Sequence, residues 1–125
     1  MMGTILLVDK AELITEIVGE QLSENIELGG YQVIKATSYE QAVEHIQQSQ
    51  FDFLITEYDL NHHQYGTSLI ESCEQPGLLL SVNDIQYKAD AVGAGFINKN
   101  QGLLHRRIHD WIIRQSCKSC KRVIN

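Results

Sequence analysis

Five short apolar runs alternate along the chain with stretches of helical periodicity. Thr4-Ile-Leu-Leu-Val8 is continuously apolar, as expected of a strand buried on both faces. Leu13, Ile14, Ile17, Val18 and Leu22 then recur at helical spacing and predict an inward face, with Glu12, Glu16, Glu20 and Glu24 on another. Gly29-Gly30 ends that helix, and Tyr31–Ala36 reads as a second strand. Ser38, with Gln41 three residues on, predicts an N-cap for a helix that turns Ala42, Val43 and Ile46 inward. Phe51–Thr56 is the third strand, with Glu57 at its end. A polar loop through Asn61-His62-His63-Gln64 and Gly66 leads to a helix over 68–74, which Pro76-Gly77 breaks. Leu78–Val82 is the fourth strand, a short helix follows over 85–92, and Gly95–Asn98 is the fifth strand. Leu104, Ile108, Trp111 and Ile112 mark a final amphipathic helix.

The alternation βαβαβαβαβα, with strands apolar throughout, predicts an α/β fold: a doubly wound, five-stranded parallel sheet with helices on both faces. We place one domain at 1–114 and a basic tail with a Cys-x-x-Cys at 115–125. At 125 residues and 43% apolar content the chain is long enough for one core, and with a single Pro it is not disordered or collagen-like. No apolar run approaches the roughly 18 residues of a membrane span, and Met1-Met2-Gly3 lacks the basic start of a secretory signal. Three Cys do not make a disulfide framework, which points to a reducing, cytoplasmic setting.

Charge divides the chain. Residues 1–100 hold fifteen Asp/Glu against Lys10, Lys35, Lys88 and Lys99, a net −11; residues 101–125 hold six Lys/Arg against Asp110, a net +5. An acidic body repels phosphates, so neither nucleic acid nor a membrane is expected as partner. The cations at the end offset a helix C-terminus or meet an acidic partner.

In doubly wound folds, sites lie beyond the carboxyl ends of the strands. Those ends carry Asp9-Lys10, Thr37-Ser38, Glu57, Ser81-Val82 and Lys99. Two carboxylates, a hydroxyl and two ammonium groups should therefore converge. Such a set is able to hold a divalent cation or phosphoryl oxygens, or simply to neutralise itself.

With these residues in place, the chain resembles a response-regulator receiver domain of the chemotaxis-regulator kind, from about Thr4 to Trp111. Ile5-Leu-Leu-Val-Asp9 resembles the family's first strand and first acid, and Gly30–Ala36 its second strand. Phe51–Glu57 matches the segment that ends in the phosphoacceptor. Ser81 falls on the switch Ser/Thr, Phe96 on the switch aromatic and Lys99 on the family's Lys. The resemblance implies a signalling protein, with Mg²⁺ as cofactor only if the receiver is still active.

The departures from the family pattern matter more. Glu57 stands where the family phosphorylates an Asp, and Lys10 stands where a second acid binds Mg²⁺. Asn100 replaces the Pro that follows the family's Lys, and the stretches from Glu57 to Ser81 and from Ser81 to Lys99 are short. An ammonium about 4 Å from a divalent cation is repelled by several kcal/mol at intermediate dielectric. Lys10 is therefore expected to pair with Glu57 or Asp9 in the metal's place, with Glu57 reaching towards Ser81 and Lys99. These features predict a stand-alone pseudo-receiver with a degenerate phosphorylation site. It would act without turnover, by binding another signalling protein, with a homodimer as a further option. The alternatives are a working phosphorelay receiver that takes phosphate from a histidine kinase with Mg²⁺, and a small zinc- or redox-linked Cys/His protein.

Phosphotransfer would need an acceptor at Glu57 or at Asp59, which we read as a solvated loop acid whose carbonyl the family would offer to metal. Asp84 and Asp90 read as cap and surface acids. Cys117 and Cys120 are half of a zinc site, which His105 and His109 could complete. His62-His63 reads as a solvated loop, Tyr58 and Tyr65 as exposed contact residues, Cys73 as core, and Trp111 as the residue that docks the last helix. A dinucleotide site is excluded by Asp9-Lys10-Ala11-Glu12: no Gly, and an acid where phosphate would bind. A flavin site fails on similar grounds.

Overall fold

The runs Thr4–Val8, Phe53–Glu57 and Gly77–Ser81 become strands because their side chains meet helices on both sides, whereas the edge strand Gln32–Ala36 leaves Gln32 and Lys35 exposed. The computed structural model describes residues 3–24 and 30–115, and beyond them the helical backbone as far as Ile124. The elements are β1 (Thr4–Val8), α1 (Glu12–Glu24), β2 (Gln32–Ala36), α2 (Tyr39–Gln48), β3 (Phe53–Glu57), α3 (Gly66–Glu71), β4 (Gly77–Ser81), α4 (Gln86–Ala91), β5 (Gly95–Asn98) and α5 (Leu104–Ile124). A 3₁₀ turn over Lys99–Gln101 leads from β5 towards α5. The five strands are parallel in the order β2-β1-β3-β4-β5. The fold is the doubly wound α/β architecture expected.

The sheet separates two cores. On one side Ile5, Leu7, Ile55, Leu78 and Leu80 pack against Val18 and Leu22 of α1 and Ile108, Trp111 and Ile112 of α5. On the other, Leu6, Val8, Leu54 and Leu79 pack against α2, α3 and α4 through Ala42, Leu69, Ile70 and Ala89. Alternate strand residues feed opposite layers, as the two-residue repeat of a strand requires. Trp111 docks α5 as expected: its indole meets Phe53 edge-on at 6.0 Å, and a Cβ on Gly95 would collide with it.

Local chemistry sets the helix starts. Ser38 Oγ accepts from Gln41 N at 3.1 Å, as predicted, but the Gln41 amide oxygen reaches back to Thr37 N at 2.9 Å, one residue earlier than in a capping box. Asp84 does not cap α4; Ile85 holds that position without a side-chain bond. Asp90 takes the Gln86 side-chain amide at 2.9 Å. α3 begins two residues before the expected start and is shorter, because Gly66 N bonds Tyr58 O at 2.7 Å and a Cβ at Gly66 would strike the Glu57 carbonyl.

Leu13 and Ile17 are corrections. Both were expected inward, yet they are 66% and 46% exposed. At about 100° per residue they lie more than a quarter turn from the Val18–Leu22 stripe that faces the sheet. α5 also runs past 114, where the tail was expected to start. Cys117 and Cys120 fall on side chains outside the described residues.

Candidate functional site

The strand order brings Asp9 and Glu57 together, because β1 and β3 are neighbours and Val8 pairs with Thr56. This is where the chain, having wound one way to β2, crosses to the other side, so the connecting loops part and leave a crevice.

Asp9 is fully buried and fully partnered. Its Oδ1 accepts from Ala11 N at 2.9 Å, and its Oδ2 accepts from Lys99 Nζ at 2.7 Å. Lys99, arriving from the far edge after β5, also donates to Glu57 Oε1 at 3.2 Å. Glu57 Oε2 accepts from Lys10 N at 3.2 Å. The side chains of Lys99 and Glu57 are 11% and 12% exposed, so one ammonium lies sealed between two carboxylates.

The electrostatics follow from that sealing. Burial pushes the Glu57 carboxyl above its ordinary value, and the neighbouring Asp9 carboxylate pushes it further; Lys99 and the Lys10 N–H pull back without cancelling this. For Lys99, burial disfavours the charge, but Asp9 and Glu57 outweigh it and hold the ammonium above its ordinary value.

Lys10 reaches Glu57, one of the two partners expected, but only at long range. Its Nζ makes only long contacts, 4.0 Å to Glu57 Oε1 and 3.7 Å to Asp59 Oδ2, and the side chain is 35% exposed. Successive residues leaving a strand point to opposite sides. Asp9 therefore turns inward and Lys10 reaches the cluster from the solvent side, while Lys99 takes the central place. Asp59 is the exposed loop acid expected. The Asn61 N–H at 2.9 Å, helped by Lys10, lowers its pKa.

Ser81 is buried, and its Oγ accepts from Asn83 N at 3.0 Å, so it serves its own loop. Phe96 is half-buried against the α2–α3–α4 core. All peptide bonds in the described residues are trans, and Asn100 uses its side-chain amide to hold Val82 O at 3.3 Å. Asn100 thereby ties the β4 end to the β5 end, a role the sequence reading missed. Arg107 was missed too: it donates to Asn98 O at 2.9 Å and braces the turn that presents Lys99.

Tyr58 and Tyr65 are not exposed contacts. Both are half-buried, their rings stack at 4.8 Å, and Lys88 Nζ reaches Tyr58 Oη at 2.6 Å. Between them Asn61, His62 and His63 adopt positive φ in succession, closed by Leu60 N to Gln64 O at 3.0 Å. Three such non-Gly residues together are uncommon and need the stacked tyrosines and the Asp59–Asn61 bond to hold them. His62 and His63 are exposed as expected.

As for ligands, the donor set fits Mg²⁺ poorly. Its carboxylates already accept from Lys99 and backbone N–H groups, and Lys10 adds a second ammonium within 4.0 Å of Glu57. Among the described residues no three His, Cys, Asp or Glu side chains are gathered to hold a metal. His109 Nδ1 is engaged by the buried Tyr31 hydroxyl at 2.8 Å. Cys73 is half-buried, with burial raising its thiol pKa.

No protein-family model matches this chain, and no curated protein does. Solved structures do match. The chemotaxis response regulator CheY4 of Vibrio cholerae superposes with TM-score 0.72 at 20% identity, covering 94% of this chain and 98% of its own. The Francisella response regulator 1452 receiver domain gives 0.75 at 18%, covering 90% and 98%. A receiver domain protein from Methanospirillum hungatei gives 0.75 at 20%, covering 92% and 97%. The fold is that of response-regulator receiver domains. At these identities the likeness is one of fold, and Asp9, Glu57, Ser81, Phe96 and Lys99 must be judged on their own geometry. No described helix of this receiver-like chain is long and apolar enough to cross a membrane.

Proposed function

We propose that this chain is a phosphorylation-independent receiver-like module that acts in signal transduction by binding another protein, without turnover. The observation that carries the reading is that Glu57 Oε1 has two ammonium groups on it, Lys99 at 3.2 Å and Lys10 at 4.0 Å. Glu57 is 12% exposed and already engaged by Lys99 and by the Lys10 N–H, so a phosphodonor has little access to its oxygens. Incoming phosphate would meet the Asp9 carboxylate, and the Lys10 ammonium within 4.0 Å of Glu57 disfavours a divalent ion that would offset the repulsion. The Lys99–Asp9 bond supports a fixed site, because its members come from opposite parts of the sheet and are buried. The Ser81 hydroxyl, bonded to its own loop, supports it as well. A fixed surface can still signal, through which partner it fits and how much of it is present.

The test is intact-mass spectrometry after incubation with Mg²⁺ and acetyl phosphate, on protein shown by circular dichroism to be folded. No phosphoryl adduct is expected. An adduct at Glu57 or Asp59, located by fragmentation, would overturn the reading in favour of a working phosphorelay receiver.

A further inference from the structure

The amino-terminal edge of the sheet, opposite the Asp9–Glu57–Lys99 cluster, carries a cavity of about 240 Å³. β4 and β5 start beside it, at Gly77 and Gly95, and residues 93–95 line it together with Trp111, Arg114 and Gln115 of α5. Packing keeps the strand side nearly bare of side chains. A Cβ at Gly77 would strike Ile70, and one at Gly95 would strike the Nε1–Cδ1 edge of Trp111. What remains there is a strip of peptide whose only Cβ outside Pro76 is that of Ala94, a flat surface for a flat ligand.

The α5 side supplies donors. Trp111 is 6% exposed, its ring packed against Phe53, and its Nε1–Cδ1 edge lies against Gly95 on the cavity wall. A buried indole N–H ordinarily finds a partner. Here, among the described residues, Nε1 has none, yet no fully buried side-chain nitrogen is left unpaired. This N–H is therefore open to solvent, through the cavity that its ring lines. Arg114 and Gln115 stand three and four residues on, which puts them on the same side of α5. Arg114 is exposed and has no ion-pair partner among the described residues. Gln115 Nε2 gives one N–H to Trp111 O at 3.3 Å and keeps the other.

These donors define the ligand. A guanidinium fork matches the two oxygens of a carboxylate, and an indole N–H can only donate. One cation balances one negative charge; a phosphate dianion would meet a single Arg on a chain of net charge −6. The volume lies below the roughly 300–1,000 Å³ of ordinary ligand pockets, so the body behind the carboxylate is no larger than about one ring. We propose that this cavity binds a carboxylate carried on a small flat apolar body, its charge on Arg114 and an oxygen on the Trp111 N–H. A free organic acid and the terminal residue of a peptide present the same group.

Trp111 is the single tryptophan, so the ¹⁵N-labelled full chain gives one indole N–H cross-peak that reports on the site directly. Benzoate, titrated from about 0.1 to about 20 mM at constant ionic strength, should move that peak and saturate with a Kd of about 1 mM, as suits so small a ligand. Benzamide, of the same shape without the charge, should bind about tenfold more weakly or worse. Arg114→Gln should weaken benzoate about tenfold, and Arg114→Lys less, since it keeps the charge and loses the fork. Circular dichroism checks that these surface variants are folded. A tetrapeptide ending in phenylalanine separates the sources. Tighter binding of its free-acid form than of benzoate, absent in its amidated form, assigns the site to a peptide end; tighter binding of benzoate assigns it to a free acid. An indole peak that stays in place throughout, moves equally with benzamide, or keeps its benzoate affinity in Arg114→Gln overturns the proposal. None of these outcomes depends on whether Glu57 accepts phosphate.

Discussion

The carboxyl end of the sheet and the outer face of α1 and α5 are both crowded with charge, and they treat it in opposite ways. At the sheet end, Asp9, Glu57 and Lys99 bring two negative charges and one positive into a nearly sealed space, each held within 3.2 Å of a partner. On the helix face, the four glutamates of α1 and Arg106 of α5 stand in solvent with no ion pair among them. Buried charge must be matched inside the chain, because an unpaired buried ion costs several kcal/mol. Exposed charge need not be, so its pattern is free to be set by what binds from outside. Charge at the sheet end is therefore matched within the chain, while the pattern on the helix face is free to be set from outside.

The largest effect should come from Lys99→Met, which keeps the length of the side chain and removes its charge. Asp9 and Glu57 would then be buried side by side with no cation between them. Urea unfolding near neutral pH should show a loss of about 3–5 kcal/mol, the usual result of breaking a buried pair from one side. Part of that loss should return in mild acid as one carboxyl takes up a proton. A loss below about 1 kcal/mol would place the sheet-end cluster with exposed ion pairs and erase the contrast between the two regions.

Glu57→Gln should give a smaller effect, visible as a change of slope. The Glu57 carboxyl is held above its ordinary value of 4.5, chiefly by burial and by Asp9. As pH falls from neutral, the native state takes up this proton before the unfolded chain does, so Glu57 adds stability on the way down to 4.5 and nothing further below it. The variant should lack that gain. The check is a set of denaturation midpoints between neutral pH and pH 4.5. A variant curve parallel to wild type would show that Glu57 is already comfortably ionised between its two ammonium neighbours.

The alternation of apolar runs and helical stretches made the ten elements legible, since Thr4–Val8 or Leu78–Leu80 can be buried on both faces only inside a covered sheet. Asp9, Glu57 and Lys99 were legible as a group for the same reason: parallel strands deliver their ends to one edge, although the Ser81 hydroxyl expected with them turns to its own loop. What sequence could not supply was direction within that edge. Asp9 and Lys10 are adjacent, yet the pleat turns one inward and the other out, and nothing local distinguishes Lys10 from Lys99 as the central cation. Leu13 and Ile17 misled for a related reason. Apolar residues cover so much of α1 that spacing alone does not choose the buried stripe. The Lys88–Tyr58 contact spans 30 residues and depends on where α4 settles, for which no short-range signal exists.

Lys10→Ala is the mildest of these changes and separates the two lysines. Its ammonium makes two long contacts from a partly solvated position, at 4.0 Å to Glu57 and 3.7 Å to Asp59. Pairs of that kind contribute within about 0.5 kcal/mol, so the unfolding midpoint should barely move. Glu57 keeps its bond from the residue-10 backbone N–H, which any residue but Pro supplies, and keeps Lys99 as well. If Lys10 were instead the keystone of the cluster, its loss would approach that of Lys99→Met. The ratio of the two losses, measured under one set of conditions, therefore shows which ammonium holds the site closed, and the geometry assigns that role to Lys99.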